Sequence, residues 1–326
     1  MTSLPVIVGF GGVNPAGRSG FHHAFKRLVY DVLPGAEQQR VLRSLSHLMA
    51  LTPLETNGAS VFSADQVRYI LDNTLIREIG PQYFDTERIY SHSRAEFSPT
   101  TAPVTWKMRK RDLPTPVPAH WNISDNGDGQ LTVTANESTQ VFLANQTPGK
   151  VRVAGQFPTG FDPGTKYPSR NHPRGLQLAI YGASDAVHSI GISWDHLLKR
   201  IPADKISVYA SSCMGQLDED GTGGMLQNVL LGKRCTSKNL ALGLGQMTAD
   251  FVNAYVLGNV GSTGGTQGAC ATLLYNLEKA VNDIQTGRAK LAVVGAAEAP
   301  ITPEIIEGYR IMGALAEDRD LMALDG

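Results

Sequence analysis

The stretch from Gly268 to Val294 limits the fold more than any other part of the chain. Gly268-Ala-Cys-Ala-Thr272 is a run of small residues, after which Leu273, Leu274, Leu277, Val281 and Ile284 recur at helical spacing. Gly287 supplies a helix stop, and Lys290-Leu-Ala-Val-Val294 then reads as a buried strand. The order is turn, helix, strand, and the only cysteine of the stretch, Cys270, sits in the turn.

A thiol at a helix start meets unpaired backbone N–H groups and the positive end of the helix dipole. Both favour the thiolate, and the same N–H groups can hold a developing oxyanion. One turn then offers a nucleophile and an anion site. A cysteine flanked by alanines has a second reading, that of a small buried hydrophobe. The residues alone leave both open.

Composition excludes several classes. The 326 residues are 42% hydrophobic, enough for one large or two modest domains with a sizeable core. With 29 basic and 30 acidic residues the formal net charge is −1, so no global field attracts nucleic acid or an anionic membrane. Three cysteines, Cys213, Cys235 and Cys270, show no Cys-x-x-Cys spacing, which argues against a disulfide framework and a zinc knuckle and suits a reducing cytoplasm. No apolar run reaches the roughly 18 residues of a membrane span, and the start Met1-Thr-Ser-Leu lacks the basic region of a signal peptide. No cofactor and no metal are expected.

Val6-Ile-Val-Gly9 reads as the first strand of a parallel sheet. Residues 22–32, 37–51 and 64–79 carry helical apolar spacing, and 85–118, rich in Pro, Ser and Thr, reads as loop. The period then changes. Leu131-Thr-Val-Thr134, Gln140-Val-Phe-Leu143 and Lys150-Val-Arg-Val153 alternate between turn clusters, which predicts a small antiparallel sheet. A loop over 161–167, a helix over 172–188, a buried strand over 205–210 and helices over 225–231 and 240–257 lead to the nucleophile turn.

Other constellations carry less. Gly9-Phe-Gly-Gly-Val-Asn14 lacks the third glycine of a dinucleotide fingerprint, and Gly232-Lys233 is followed by Arg234 rather than Ser or Thr, so it is no P-loop. Lys107-Met-Arg-Lys-Arg111 reads as a docking patch for an acidic partner or as a solvated loop. Nucleic-acid binding would need basic residues spread over a face with aromatic platforms, and Trp106 alone does not supply them. Ser211-Ser-Cys-Met214 follows a strand and presents a second thiol or a buried one.

From Gly268 onward the chain resembles the β-ketoacyl-acyl-carrier-protein synthases of the thiolase-like fold. The nucleophile turn, one helix, Thr286 to Pro300 with its Gly295-Ala-Ala-Glu298 strand end, and the Thr302-Pro303 helix entry follow the order of that family. Val6 to Gly17 resembles its first strand and Pro-Gly turn, and Asn239 to Leu257 the helix before the nucleophile. Residues 18–150 resemble the long insertion of the FabY type, with Ser93-Arg-Ala-Glu-Phe-Ser-Pro99 and Lys107 to Arg111 as the distinctive parts.

The resemblance implies an α/β, thiolase-like layered fold: residues 1–17 and 151–326 as the N-terminal half, a mixed sheet covered by helices, and 18–150 as an inserted helical and small antiparallel-sheet region. It implies a condensing acyltransferase of fatty acid synthesis with Cys270 as nucleophile and Leu244 and Met247 walling the acyl pocket. The partners implied are acyl carrier protein, acyl and malonyl thioesters, a second copy in a homodimer, and a C-terminal half that bears the catalytic histidines.

Two departures qualify this. The eight histidines, at 22, 23, 47, 92, 120, 172, 188 and 196, all precede Cys270, and none lies in a matching motif. The chain therefore reads as an N-terminal portion, and the rival is a non-catalytic synthase-like partner subunit or inactive fragment. Second, Gly258 to Gln267 has little strand propensity where the family places a strand. A cysteine hydrolase fails for want of a recognisable base motif.

Overall fold

A computed structural model of the chain describes residues 4–56, 59–258, 261–298 and 301–324. It divides into two compact units, Met1–Tyr83 with Val151–Gly326, and Phe84–Lys150. Residues 18–83 thus belong with the larger unit, whereas the sequence reading grouped them with the insertion. The reason is local: their helices bury Tyr30, Val41, Leu42, Leu45, Phe62 and Ile70 in a core of their own within that unit.

In the smaller unit, β1 (Ile89–Phe97) and β5 (Thr139–Thr147) form a two-stranded antiparallel ribbon nine residues long. Strands β2 (Val104–Arg109), β3 (Trp121–Asp125) and β4 (Gln130–Ala135) form a second sheet in the order β2-β4-β3. β4 alternates as half-buried strands should, with Leu131, Val133 and Ala135 inward. The turn between β3 and β4 closes through Asn126 N–H to the Gln130 carbonyl at 3.0 Å, with Gly127 and Gly129 at positive φ. Two strands therefore occupy the segment read as loop. Its prolines at 99, 103 and 114 bound β2 and its neighbours rather than interrupt them, and the threonines between are good strand formers.

The larger unit contains α1 (Gly35–Leu48), α2 (Ala64–Asp72), α3 (Arg174–Ser189), α4 (Ser237–Leu242), α5 (Thr248–Val252), α6 (Thr272–Gln285) and α7 (Pro303–Ile311). α2 starts at a capping box in which the Ser63 hydroxyl accepts from Gln66 N–H and the Gln66 side chain returns to Ser63 N–H. Its parallel sheet consists of β6 (Ile206–Ser211), β7 (Ser262–Gly264) and β8 (Leu291–Ala296), in the order β7-β6-β8.

All six residues of β6 are buried. On one face Ile206, Val208 and Ala210 pack with Ala183, Val187, Ala249 and Val252 from α3 and α5. Full burial of side chains such as Ile206 and Val208 contributes about 1.5–3 kcal/mol each. On the opposite face the period-two alternation turns Ser207, Tyr209 and Ser211 toward other partners, and the Tyr209 hydroxyl donates to the Asp283 carboxylate of α6.

Three sequence expectations need correction. Residues 4–10 form no strand, and Val6, Ile7 and Val8 stay 70%, 82% and 55% exposed. An apolar run shows that a segment favours burial, not which surface receives it. Gly9 and Gly11 instead press onto α3, where a Cβ on Gly11 would lie 2.2 Å from Ala186 N. The helix expected over 240–257 is broken at Gly243–Gly245 into α4, a short turn and α5, and ends in a π turn at Asn253–Leu257. The glycine-rich segment of low propensity is nevertheless strand β7. Its successor Gly265 lies so near β6 that a Cβ would stand 2.5 Å from the Ala210 carbonyl, so the glycines permit the pairing.

Candidate active site

The Cys270 turn is built from the backbone upward. A Cβ on Gly268 would stand 2.1 Å from the Tyr275 ring, so a side chain there would require that exposed ring to move. Ala269 then adopts φ +48°, a left-handed conformation that costs a non-glycine residue about 1–3 kcal/mol and concentrates at functional sites. A short 3-10 turn, Ala269–Ala271, leads directly into α6. Cys270 sits on this turn and is exposed. Its backbone N–H and its sulfur have no hydrogen-bond partner among the described residues.

Thr272 holds the turn shut. Its hydroxyl donates to the Ala269 carbonyl at 2.7 Å and accepts from Gly268 N–H at 3.1 Å. With that proton committed, its remaining lone pair faces the Cys213 sulfur at 3.2 Å, so the Cys213 thiol is the donor.

Asn276, six residues after Cys270 and fully buried, joins three segments. Its Oδ1 accepts from Thr266 N–H at 2.8 Å, and its Nδ2 donates to Ser211 Oγ of β6 at 3.0 Å and to the Gly295 carbonyl of β8 at 3.4 Å. Ser211 Oγ in turn donates to the Thr266 carbonyl at 2.7 Å, and Gln267 Nε2 to the Ser212 carbonyl at 2.7 Å. The loop before Cys270 is thus fixed to the C-terminal end of the central strand, where open α/β sheets place their ligands.

Glu298, just past β8, completes the support. Its carboxylate accepts from the backbone N–H groups of Cys213 and Met214, which closes the loop after β6 onto the end of β8. Asn276, Thr272 and Glu298 carry no catalytic signature in sequence. Asn276 and Thr272 are nevertheless polar positions on the helical face that carries Ala280, and a buried polar face opposite a leucine face was a readable signal.

The buried face of α6 is the polar one. α6 buries Thr272, Asn276, Ala280 and Asp283, while Leu273, Leu274, Tyr275 and Leu277 are 40–64% exposed. The period was legible, but the leucines do not face the sheet.

The Leu244–Met247 turn lies beside this assembly through the backbone: Ser212 N–H donates to the Gly245 carbonyl at 3.2 Å. A Cβ on Gly245 would stand 2.1 Å from both Gln267 Nε2 and Ser212 O, so only glycine fits. Leu244 is 47% exposed and Met247 half-buried. No hydrogen bond among the described residues joins this turn to Cys270 itself; the link runs through Ser212 and Gln267. No histidine among the described residues hydrogen-bonds Cys270, and no cluster of three metal-ligating side chains is found among them.

Two basic regions differ in their pairing. Of the patch Lys107 to Arg111, Arg109 and Arg111 pair with Asp112, and Lys110 with Asp125. A cleft of about 850 Å³ in the larger unit is instead lined by Lys166, Arg170, His172 and Lys238, with no carboxylate in its wall. Lys166, Arg170 and Lys238 form no ion pair among the described residues. Lys238 lies on α4, which runs into the Leu244–Met247 turn.

A parallel sheet whose strand ends support a strained cysteine turn at a helix start defines a thiolase-like condensing-enzyme half-fold. The chain belongs to the β-ketoacyl synthase family: the family's N-terminal domain model matches residues 108–325. It is 44% identical over its whole length to the β-ketoacyl-[acyl-carrier-protein] synthase FabY of Pseudomonas aeruginosa, of which it spans 53%. The crystal structure of the ketosynthase FabY from P. aeruginosa superposes with a TM-score of 0.89 at 43% identity, over 100% of this chain and 53% of that one. The fatty acid synthase alpha subunit stcJ of Emericella nidulans is 29% identical over 177 residues, 52% of this chain and 11% of that protein. The chain therefore spans about half the length of its near relative or less. No described helix is long and apolar enough to cross a membrane.

Proposed function

We propose that this chain is the nucleophile-bearing half of a β-ketoacyl-acyl-carrier-protein synthase. The observation that carries the reading is Cys270, exposed on a strained turn at the start of α6 with its own backbone N–H unpaired. The Cys270 thiolate attacks the carbonyl carbon of a carrier-bound acyl thioester, and the free N–H receives charge developing on the oxygen. The carbon–sulfur bond to the carrier breaks, the carrier thiol leaves with a proton, and an acyl-Cys270 thioester remains. Malonyl-carrier then loses carbon dioxide, its carbanion attacks the acyl carbon, and the Cys270 thiolate departs. The chain grows by two carbons.

The second step needs proton and charge management that no described group near Cys270 supplies. A C-terminal half bearing histidines provides it in this reading, and the exposed face Leu273, Leu274 and Leu277 is the surface that half covers. Leu244 and Met247, on the turn tied to Ser212, wall the acyl pocket. The acidic carrier docks at the Lys166, Arg170 and Lys238 cleft, where the cations are uncommitted, rather than at the Lys107 to Arg111 patch, where Arg109, Lys110 and Arg111 are paired. A homodimer follows the family's habit, and three free thiols suit a reducing cytoplasm.

To test this, the chain is combined with its C-terminal half, treated with acyl-carrier or cerulenin, and the adduct mapped by mass spectrometry. Modification at Cys270 that vanishes in Cys270→Ala is expected. An intact assembly that elongates acyl chains without an adduct at Cys270 overturns the assignment. An assembly that neither acylates nor elongates favours a scaffold subunit, for which the lack of a hydrogen-bonded base at Cys270 speaks.

A further inference from the structure

Cys213 takes no part in the proposed reaction, yet it is built into the turn that presents Cys270. Its sulfur stands 3.2 Å from Thr272 Oγ1, which itself stands 2.7 Å from the Ala269 carbonyl oxygen. That carbonyl belongs to the peptide bond that enters Cys270, so the two contacts keep the Cys213 sulfur no more than about 9 Å from the Cys270 Cα. One hydroxyl links the two thiols.

The two are held differently. Cys213 is half-buried, and the Glu298 carboxylate fixes its backbone N–H. Cys270 is exposed, and neither its backbone N–H nor its sulfur has a hydrogen-bond partner among the described residues. Ahead of it Ala269 stands at φ +48°, a strained conformation that a small rotation of the turn relieves. A disulfide needs Cα atoms about 4.4–6.8 Å apart, and the unanchored Cys270 side supplies that closure. The third thiol, Cys235, faces the Met225 carbonyl at 3.3 Å on a different segment.

We propose that Cys213 is the resolving thiol for oxidised Cys270: under a peroxide the two form an intramolecular disulfide that switches the site off reversibly. The Cys270 thiolate attacks one oxygen of hydrogen peroxide, the O–O bond breaks, and the departing hydroxide takes a proton to become water. Cys270 is then a sulfenic acid. The Cys213 sulfur attacks the Cys270 sulfur, the S–O bond breaks, and the hydroxyl leaves with the Cys213 proton as a second water. Two thiols and one peroxide thus give one disulfide and two waters, and a dithiol reductant returns both thiols. Without a resolving thiol the sulfenic acid is open to further oxidation to the sulfinic acid, which such reductants do not reverse.

This chemistry rests on the Cys270 of the synthase reading, but its readout is a linked peptide and not acyl transfer. A link between Cys213 and Cys270 in an assembly that accepts no acyl group leaves the switch standing and the synthase reading fallen. Acylation of Cys270 in an assembly that never forms the link does the reverse.

The experiment uses the chain assembled with its C-terminal half, reduced, freed of reductant and titrated with hydrogen peroxide. Trypsin leaves each cysteine on its own peptide, 206–233, 235–238 and 239–279. A disulfide between 206–233 and 239–279 is expected, with a matching loss of iodoacetamide labelling at Cys270 that dithiothreitol restores. Cys213→Ser keeps a hydroxyl that can donate to Thr272 but cannot resolve the sulfenic acid. After prolonged exposure to peroxide, the Cys270 thiol that dithiothreitol recovers should fall at least about tenfold in that variant relative to the parent. Absence of the linked peptide at every dose, a link from 239–279 to 235–238 instead, or equal recovery in parent and variant overturns the proposal.

Discussion

The hydroxyl of Thr272 stands 3.2 Å from the sulfur of Cys213 while it holds the Gly268 N–H and the Ala269 carbonyl. One short side chain therefore ties the loop after the central strand to the turn that presents Cys270. Thr272→Val keeps the shape and removes every one of these bonds. Leaving a buried donor or acceptor unsatisfied costs about 1–3 kcal/mol, so chemical denaturation should show a loss of that size. Thr272→Ser should recover most of it, and a valine variant as stable as the parent refutes the role.

Asn276 anchors the other side of the same turn. Asn276→Ala deletes three hydrogen bonds and opens a small buried polar cavity, and a loss of about 2–4 kcal/mol in urea unfolding is expected. Asn276→Asp should not rescue it. An aspartate can donate to neither Ser211 Oγ nor the Gly295 carbonyl, and a carboxylate would be buried without a cation.

The three thiols should separate by alkylation. Cys270 is exposed, whereas Cys213 is half-buried against Thr272 and Cys235 half-buried against the Met225 carbonyl at 3.3 Å. Iodoacetamide at limiting dose, followed by peptide mapping, should label Cys270 first. Equal labelling of all three would remove the distinction on which the nucleophile assignment relies.

Acid should weaken the larger unit through His23. Burial, followed by the charges of Arg18 and Lys26, holds its imidazole below the usual range, against the opposing pull of Asp185 and Glu37. The folded state thus binds its proton less readily than the unfolded state, whose histidine titrates near about 6.5. The stability this neutral ring contributes is present above that pH and is lost as pH falls through and below it. His23→Gln, which does not titrate, should flatten the dependence of the urea midpoint between about pH 7.5 and 5; an unchanged slope assigns the acid sensitivity elsewhere.

Much of the local structure around Cys270 was legible in the sequence. The small-residue turn, the helix after it, the strand over 291–296 and the Thr302-Pro303 helix entry stand where the residues put them. What period and propensity misjudged has definite causes. Val6 to Val8 has strand character, but Gly9 and Gly11 seat the segment's end against α3 instead. The 85–118 segment looks like loop because its prolines are counted rather than placed. Helix α6 has the expected amphipathic period, yet the sheet accepts its polar face because Ser211, Thr266 and Gly295 offer hydrogen-bond partners that leucine cannot use.

By itself, the order of residues determined that a cysteine would stand where small residues give way to a helix, because glycine and alanine there remove the bulk that would block the turn. Only the tertiary structure decided what holds that cysteine in place. Thr272 meets Cys213 across 59 positions, Asn276 meets Ser211 across 65, and Glu298 meets Cys213 across 85. Hydrogen bonds between such distant residues have no period in the sequence. They exist because parallel pairing brings the ends of three strands to one edge, where unpaired backbone and hydroxyl groups must find partners or lose their hydration without return.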